Sequence, residues 1–254
     1  MRIDWIASTI SDNFFYLVRD GDAGLLVDPF DARAALAAVE AHGLRDVRVF
    51  TTHGHPDHAG GNGAVKDALG CEVIASDHAS TFRVDADTYV RDGDTLTVGD
   101  TRFELRFAPG HTDGHVVAYT PGHLISGDVF FVGGAGHCKF GGDANELYRT
   151  FHERLSDLPD ETIFYPGHDY AEKNARFCLS VEPGNAGAAA LLSEAQGRTR
   201  EDGPLLKTLG AERAYNPFFR PTDAGLLARL RALETGAHDP RSAFVAVRAL
   251  RDVF

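Results

Sequence analysis

Thr51-Thr52-His53-Gly54-His55-Pro56-Asp57-His58-Ala59-Gly60-Gly61 decides the reading of this chain. It follows VRVFTT, an apolar, β-branched run that reads as a buried strand. A loop at the end of such a strand holds reactive side chains on a rigid support. His53 and His55 are two apart, so an extended backbone points both to one side, where they can share a metal ion. Asp57 and His58 come where the loop turns and can reach a second ion. Gly60 and Gly61 let the backbone pack closely beside the site. A lone His-x-His would fit a solvated polar loop, but His-x-His-x-Asp-His directly after a strand does not. Further ligand segments are therefore expected elsewhere.

Three such segments are present. Ala108-Pro109-Gly110-His111-Thr112-Asp113-Gly114-His115 follows the apolar run ELRF, Ile125-Ser126-Gly127-Asp128 ends another strand pattern, and Tyr165-Pro166-Gly167-His168-Asp169 follows TIF. A carboxylate can bridge two divalent ions, and Asp128 is the natural bridge. One ion then takes His53, His55, His111 and Asp128, the other Asp57, His58, His168 and Asp128. Imidazole and carboxylate suit zinc first, with iron or manganese as alternatives. A site with two close metals and no thiolate is catalytic in character. Cys71, Cys138 and Cys178 are widely spaced, odd in number and without a CxxC pair, which excludes a disulfide framework or zinc knuckle. Cys71 reads as core.

Around these segments the chain alternates strands and helices. NFFYLVRD and AGLLVDPF read as strands joined by Asp20-Gly21-Asp22, and DARAALAAVEAH as a helix with Asp31 near its start and Gly43 at its end. GAVKDALG reads as a short helix, CEVIAS as a strand, and DTLTVGDTRFELRFAP as a β-meander. NELYRTFHERLSDLP has helical spacing with Leu147, Phe151 and Leu155 on one face. After Tyr170 helical patterns dominate (AEKNARFCLSVE, AGAAALLSEAQGR, DAGLLARLRALETG), with no comparable strand run. A soft boundary near residue 172 divides an α/β or α+β catalytic domain, 1–172, from a small helical substrate-binding domain, 173–254. The net charge of −12 and the lack of a basic face argue against nucleic-acid binding. No apolar run approaches a membrane span, and MRIDWIASTISDNFF lacks the apolar core and cleavage site of a signal peptide. Residence in the cytoplasm is the expectation.

THGHPDHAGG, APGHTDGHVVAY, SGDVFFVGGAG and YPGHDYAEKNARFCLSVEPGN occur in the order found in the metallo-β-lactamase superfamily, which the chain resembles. TLGAERAYNPFFR and AHDPRSAFVAVRALRD further resemble the helical C-terminal domain of glyoxalase II, the hydroxyacylglutathione hydrolases. The resemblance implies an α+β fold, an αββα sandwich with metals at one edge. It implies hydrolysis of S-D-lactoylglutathione and related small-molecule thioesters by a metal-bridging hydroxide, with Asp57 both ligand and hydrogen-bond acceptor. It implies that glutathione is gripped by Tyr170 and by two basic residues mapping onto Arg248 and Arg251. From Arg241 onward the tail has three arginines and one aspartate, so it is locally basic in an acidic chain. Arginine forks suit carboxylates, although the three-residue spacing also fits a solvated helix face.

One segment departs from the family pattern Gly-Cys-Gly-Lys/Arg-Phe-aromatic-Glu-Gly: here it reads Gly134-Ala135-Gly136-His137-Cys138-Lys139-Phe140-Gly141-Gly142-Asp143. His137 takes the basic position, the segment is one residue longer, and Lys139 restores the charge from a shifted place. His115 and Asp28 read as supports of the ligands. His42, His78, His123, His152 and His238 read as ordinary surface or satisfied residues. The nearest competing reading is persulfide dioxygenase, a mononuclear iron enzyme of the same superfamily. Its Arg-Thr-Asp-Phe run is replaced here by His137-Cys138-Lys139-Phe140, and it lacks AVRALRD. A non-enzymatic metal-binding scaffold conflicts with the complete ligand set. A nuclease conflicts with the charge, and nothing in the C-terminal segments favours a lactonase or β-lactamase. The oligomeric state is left open.

Overall fold

The first sheet orders β1 (Arg2–Ala7), β2 (Phe14–Asp20), β3 (Ala23–Val27), β4 (Asp46–Phe50), β5 (Val73–Ser76) and β6 (Thr88–Val90) side by side. The computed structural model describes residues 1–11 and 13–254. β1 to β3 pair antiparallel, whereas β3 to β6 run parallel. Parallel neighbours need crossovers, and these are α1 (Ala32–His42) between β3 and β4, then α2 (Pro56–Ala59) and α3 (Asn62–Leu69) between β4 and β5. The Asp31 carboxylate caps α1 by accepting from Ala34 N, and Gly43 closes it at φ 60°, as its sequence suggested.

The second sheet is built from β7 (Thr95–Val98), β8 (Thr101–Phe107), β9 (Val116–Thr120) and β10 (His123–Gly127), with β13 (Ile163–Pro166) added beyond a small ribbon of β11 (Phe130–Phe131) and β12 (Gly134–Ala135). β13 lies parallel to β10.

Period-two alternation sets the layers. In β2, Phe15 and Leu17 join Ala35, Val39 and Val65 in a core under α1 and α3. Tyr16 and Val18 turn the other way and meet Phe103, Leu105, Val116 and Ala118 of the second sheet. A third core covers the outer face of that sheet, where Val117, Leu124 and Phe164 pack with Phe151, Phe177, Phe218, Phe244 and Val247. This is the expected αββα sandwich. Its last layer consists of α4 (Ala144–Arg149), α5 (Ala171–Val181), α6 (Ala186–Ala195), α7 (Leu209–Tyr215), α8 (Ala224–Ala232) and α9 (Pro240–Val253).

Several elements differ from the sequence reading, which assigned no strand to β1. The helix expected through NELYRTFHERLSDLP stops at Arg149 and passes into a π-helical turn, Thr150–Arg154. There Thr150 Oγ1 donates to the Pro109 carbonyl at 2.6 Å, and Leu155 N reaches back five residues to the Thr150 carbonyl. Leu147, Phe151 and Leu155 are nonetheless buried together. The C-terminal region also supplies a strand, β14 (Lys207–Thr208), which pairs antiparallel with β13; two residues are too short to leave a pattern.

Candidate metal centre

The ligand segments all leave strands at one edge of the sandwich. β4 runs into Thr51–His58, β8 into His111, β10 into Asp128 and β13 into His168. Because β10 and β13 are parallel neighbours, Asp128 and His168 emerge side by side. Gly167 permits the approach, since a Cβ there would lie 2.5 Å from Asp128 Oδ1 and 2.6 Å from His58 Cε1.

Two donor sets converge. His53 Nε2 and His111 Nε2 lie 3.1 and 3.0 Å from His55 Nδ1. His168 Nε2 lies 3.5 Å and His58 Nε2 3.9 Å from Asp57 Oδ2. Within each set the donor atoms fall within 4.8 Å of one another. Asp128 stands between them, with Oδ1 3.4 Å from His58 Nε2 and Oδ2 3.5 Å from both His111 Nε2 and His168 Nε2. All these side chains are buried except that of Asp57, which is 45% exposed. His58 Nε2 and Asp128 Oδ1 are buried without a hydrogen-bond partner among the described residues. Such atoms are costly to bury, and imidazole nitrogens clustered about a carboxylate are the donor set of a divalent zinc, iron or manganese ion.

The outward-facing nitrogens are anchored. His58 Nδ1 donates to Asp28 Oδ2 at 2.9 Å, His111 Nδ1 to the His137 carbonyl at 2.7 Å, and His55 Nε2 to the Phe140 carbonyl at 3.2 Å. Thr52 Oγ1 meets His53 Nδ1 at 3.1 Å. Placing the proton outside leaves the inner nitrogen free to coordinate. Burial presses His53 well below its usual range and His111 down to about 3, which favours the neutral, coordinating form. Burial would raise the carboxyls of Asp57 and Asp128. Hydrogen bonding from His168 and the charge of His58 hold Asp57 low instead, and the charges of His58 and His168 do the same for Asp128.

Asp28 and His115 support the centre as their sequence positions suggested. The Asp28 carboxylate also accepts from Thr52 N and Oγ1, at 2.7 and 2.6 Å. His115 accepts from Asp128 N at 3.2 Å and stacks on His53. Sequence reasoning did not find Asn13, whose Nδ2 donates to the carbonyl and carboxylate of Asp57 at 3.0 and 3.2 Å. One asparagine ahead of a strand leaves no motif.

A cavity of about 290 Å³ lies behind Tyr170 and His137, the side chains that separate it from His168 and His111. Phe131, His137, Lys139, Tyr170, Lys173 and Arg251 are among its walls. Tyr170 stacks on His168 with ring centroids 5.0 Å apart, while the His137 ring lies 5.0 Å from that of His111. Neither arginine occupies a solvated helix face. Arg248 is 4% exposed, and its Nη1 donates to the carbonyls of Ala135 and Gly136 at 2.7 and 3.1 Å. Arg251 is half-buried and donates to Asn174 Oδ1. Lys139 reaches the cavity, its Nζ donating to the Asp252 carbonyl at 3.1 Å. Counted from Gly136, Lys139 and Phe140 fall on the basic and phenylalanine positions of the family pattern without a shift. In this register the departures are His137 and Cys138 for Cys-Gly, Gly141 for the aromatic, and Gly142 and Asp143 for Glu-Gly. Lys173, a further cation on α5, lies inside the segment YPGHDYAEKNARFCLSVEPGN but was not singled out there.

The profile of the metallo-beta-lactamase superfamily matches residues 11–168, and that of the hydroxyacylglutathione hydrolase C-terminus matches residues 169–254. The hydroxyacylglutathione hydrolase of Anaeromyxobacter dehalogenans is 40% identical over 245 residues, 95% of each chain. That of Polaromonas sp. is 39% identical over 249 residues, 94% of each chain. Among solved structures, ETHE1 from Myxococcus xanthus aligns over 100% of this chain and 99% of its own, with a TM-score of 0.68 and 27% identity. TTHA1623, solved in a di-iron-bound form, aligns over 81% of this chain and 94% of its own, with a TM-score of 0.60 and 26% identity. The C-terminal match separates this chain from superfamily members at large: it belongs to the hydroxyacylglutathione hydrolases of the metallo-beta-lactamase superfamily.

Proposed function

We propose that this protein hydrolyses thioesters of glutathione, S-D-lactoylglutathione among them, releasing glutathione and a hydroxy acid. The observation that carries the reading is the meeting of two donor sets on Asp128 beside a cavity walled by Lys139, Lys173 and Arg251. His53, His55 and His111 would hold one divalent ion and Asp57, His58 and His168 the other, with Asp128 shared. Zinc is the first choice and iron or manganese the alternatives. Such ions supply a water activated near neutral pH and positive charge at the thioester oxygen. The chain supplies the rest. Asp57, kept ionised, is the hydrogen-bond acceptor at the exposed side of the centre. Tyr170, Lys139 and Arg251 hold the glutathionyl group, whose carboxylates suit these cations. Arg248 contributes by fixing the carbonyls behind His137. The Cys138 thiol, pushed up to about 12 by burial, is no competing nucleophile. Residues 1–172 carry the catalytic centre, and 173–254 shape the thiol site.

Among the described residues no helix is long and apolar enough to cross a membrane. Three free cysteines suit a reducing compartment, and we place the protein in the cytoplasm. The test is a panel of glutathione and coenzyme A thioesters run on protein of measured metal content. Two ions per chain with thiol release are expected. One iron per chain with oxygen uptake would replace this reading by the dioxygenase.

A further inference from the structure

Between Asp128 and His137 the chain crosses beneath the centre, and five consecutive residues there are held by the C-terminal helices. Asn174 Nδ2 donates to the Val132 carbonyl at 3.0 Å. Gly133 N donates to Glu212 Oε2 at 3.0 Å, and Cys178 Sγ donates to the Gly133 carbonyl at 3.3 Å. Asn216 Nδ2 donates to the Gly134 carbonyl at 3.1 Å, and Arg248 takes the carbonyls of Ala135 and Gly136. Glu212 is the centre of this clamp. It is 0% exposed, and its remaining valences are filled by the Tyr215 hydroxyl and by Asn216 Nδ2 at 2.7 Å. A carboxylate buried this deeply is a poor way to gain stability, so its partner, the Gly133 amide, points to another purpose.

The clamped stretch leads straight to the carbonyls that anchor two ligands: His137 O holds His111 Nδ1, and Phe140 O holds His55 Nε2. There is little slack on the way. A Cβ on Gly136 would collide with the Asp128 carbonyl and lie 3.0 Å from His111 Nδ1. The other donor set is anchored from elsewhere, His58 by Asp28 and Asp57 by Asn13.

We propose that the C-terminal helices hold His55 and His111, two ligands of one donor set, in register through the backbone of residues 132–136, with Glu212 as the positioning residue. Apart from the shared Asp128, the clamp meets no ligand of the other set. The proposal rests on the two-ion reading above.

The test is competition between a chelator and the zinc-loaded full chain, with circular dichroism to confirm folding. Wild type should release two ions, each step assigned by its loss in His111→Ala or in His168→Ala. In Glu212→Ala the step lost in His111→Ala should weaken about 10- to 100-fold, the usual effect of removing an outer partner of a ligand, and the other step should stay as in wild type. Glu212→Gln, which keeps an acceptor for Gly133 N, should restore the wild-type profile. If Glu212→Ala does not fold, Asn216→Ala removes the donor to the Gly134 carbonyl and should show the same one-sided loss. Equal weakening of both steps, or none in a folded variant, overturns the clamp. Wild type binding fewer than two ions overturns the two-ion reading itself, and the clamp with it.

Discussion

His58 Nδ1 meets the Asp28 carboxylate at 2.9 Å, and Asp28 makes that bond from a left-handed backbone with φ of 53°. A non-glycine residue held there carries strain on the order of 1 kcal/mol. Two hydrogen bonds from Thr52 hold it in place. Asp28→Ala is expected to weaken the ion held by Asp57, His58 and His168 about 10- to 100-fold, and the other ion less, because Asp28 reaches His53 only through Thr52. Chelator competition measures this; equal loss at both sites would refute a role centred on His58.

Asp128 touches both donor sets, so Asp128→Ala should release both ions and lower thioester hydrolysis by more than about 100-fold, since charge stabilisation at the reacting oxygen goes with them. Metal analysis after gel filtration, paired with an assay of thiol release, decides it. A variant that keeps both ions and full activity removes the bridging assignment.

Arg251 faces the cavity and makes no contact with the donor sets. Arg251→Met should raise KM for a glutathione thioester about 10-fold, the loss of one charge-assisted hydrogen bond, and leave kcat nearly unchanged. Added salt should narrow the difference from wild type by screening the Arg251 charge that only the wild type carries. A fall in kcat at constant KM would place Arg251 in the chemistry instead.

Burial lifts Glu212 from 4.5 to about 7. The folded chain therefore keeps a proton that the unfolded chain gives up. Its contribution to stability is complete below pH 4.5 and is lost as pH rises to about 7. The loss is about 3 kcal/mol at 1.36 kcal/mol per pH unit. Glu212→Gln should lose less stability than wild type between pH 5 and pH 8 in chelator-treated protein, where metal release plays no part. Urea denaturation at the two pH values gives the double difference, and parallel curves would show that Glu212 titrates normally.

The seven ligand candidates could be picked out because each stands in a short motif after an apolar strand, while their placement at one edge was implied by the resemblance and not by the motifs themselves. The supports of the centre were harder. Asp28 could be suspected, but its bond to His58 depends on β3 lying beside β4. Backbone acceptors such as the carbonyls of His137 and Phe140 leave no mark in a sequence. Arg248 and Arg251 show the same limit, for a three-residue spacing serves a solvated face and a buried one alike, and only the packing of α9 decides. Glu212 lay within TLGAERAYNPFFR, quoted only for its resemblance to a helical domain, and its partner, the Gly133 amide, is 79 residues away.

His53, His55, Asp57 and His58 hang from the first sheet, while His111, Asp128 and His168 hang from the second. An ion held by both is a rivet across the seam of the sandwich. Its binding energy would count toward folding, and the full ligand set is complete only once the two halves have closed on each other. Metal supply would then bear on how long the protein survives proteolysis as well as on how fast it turns over.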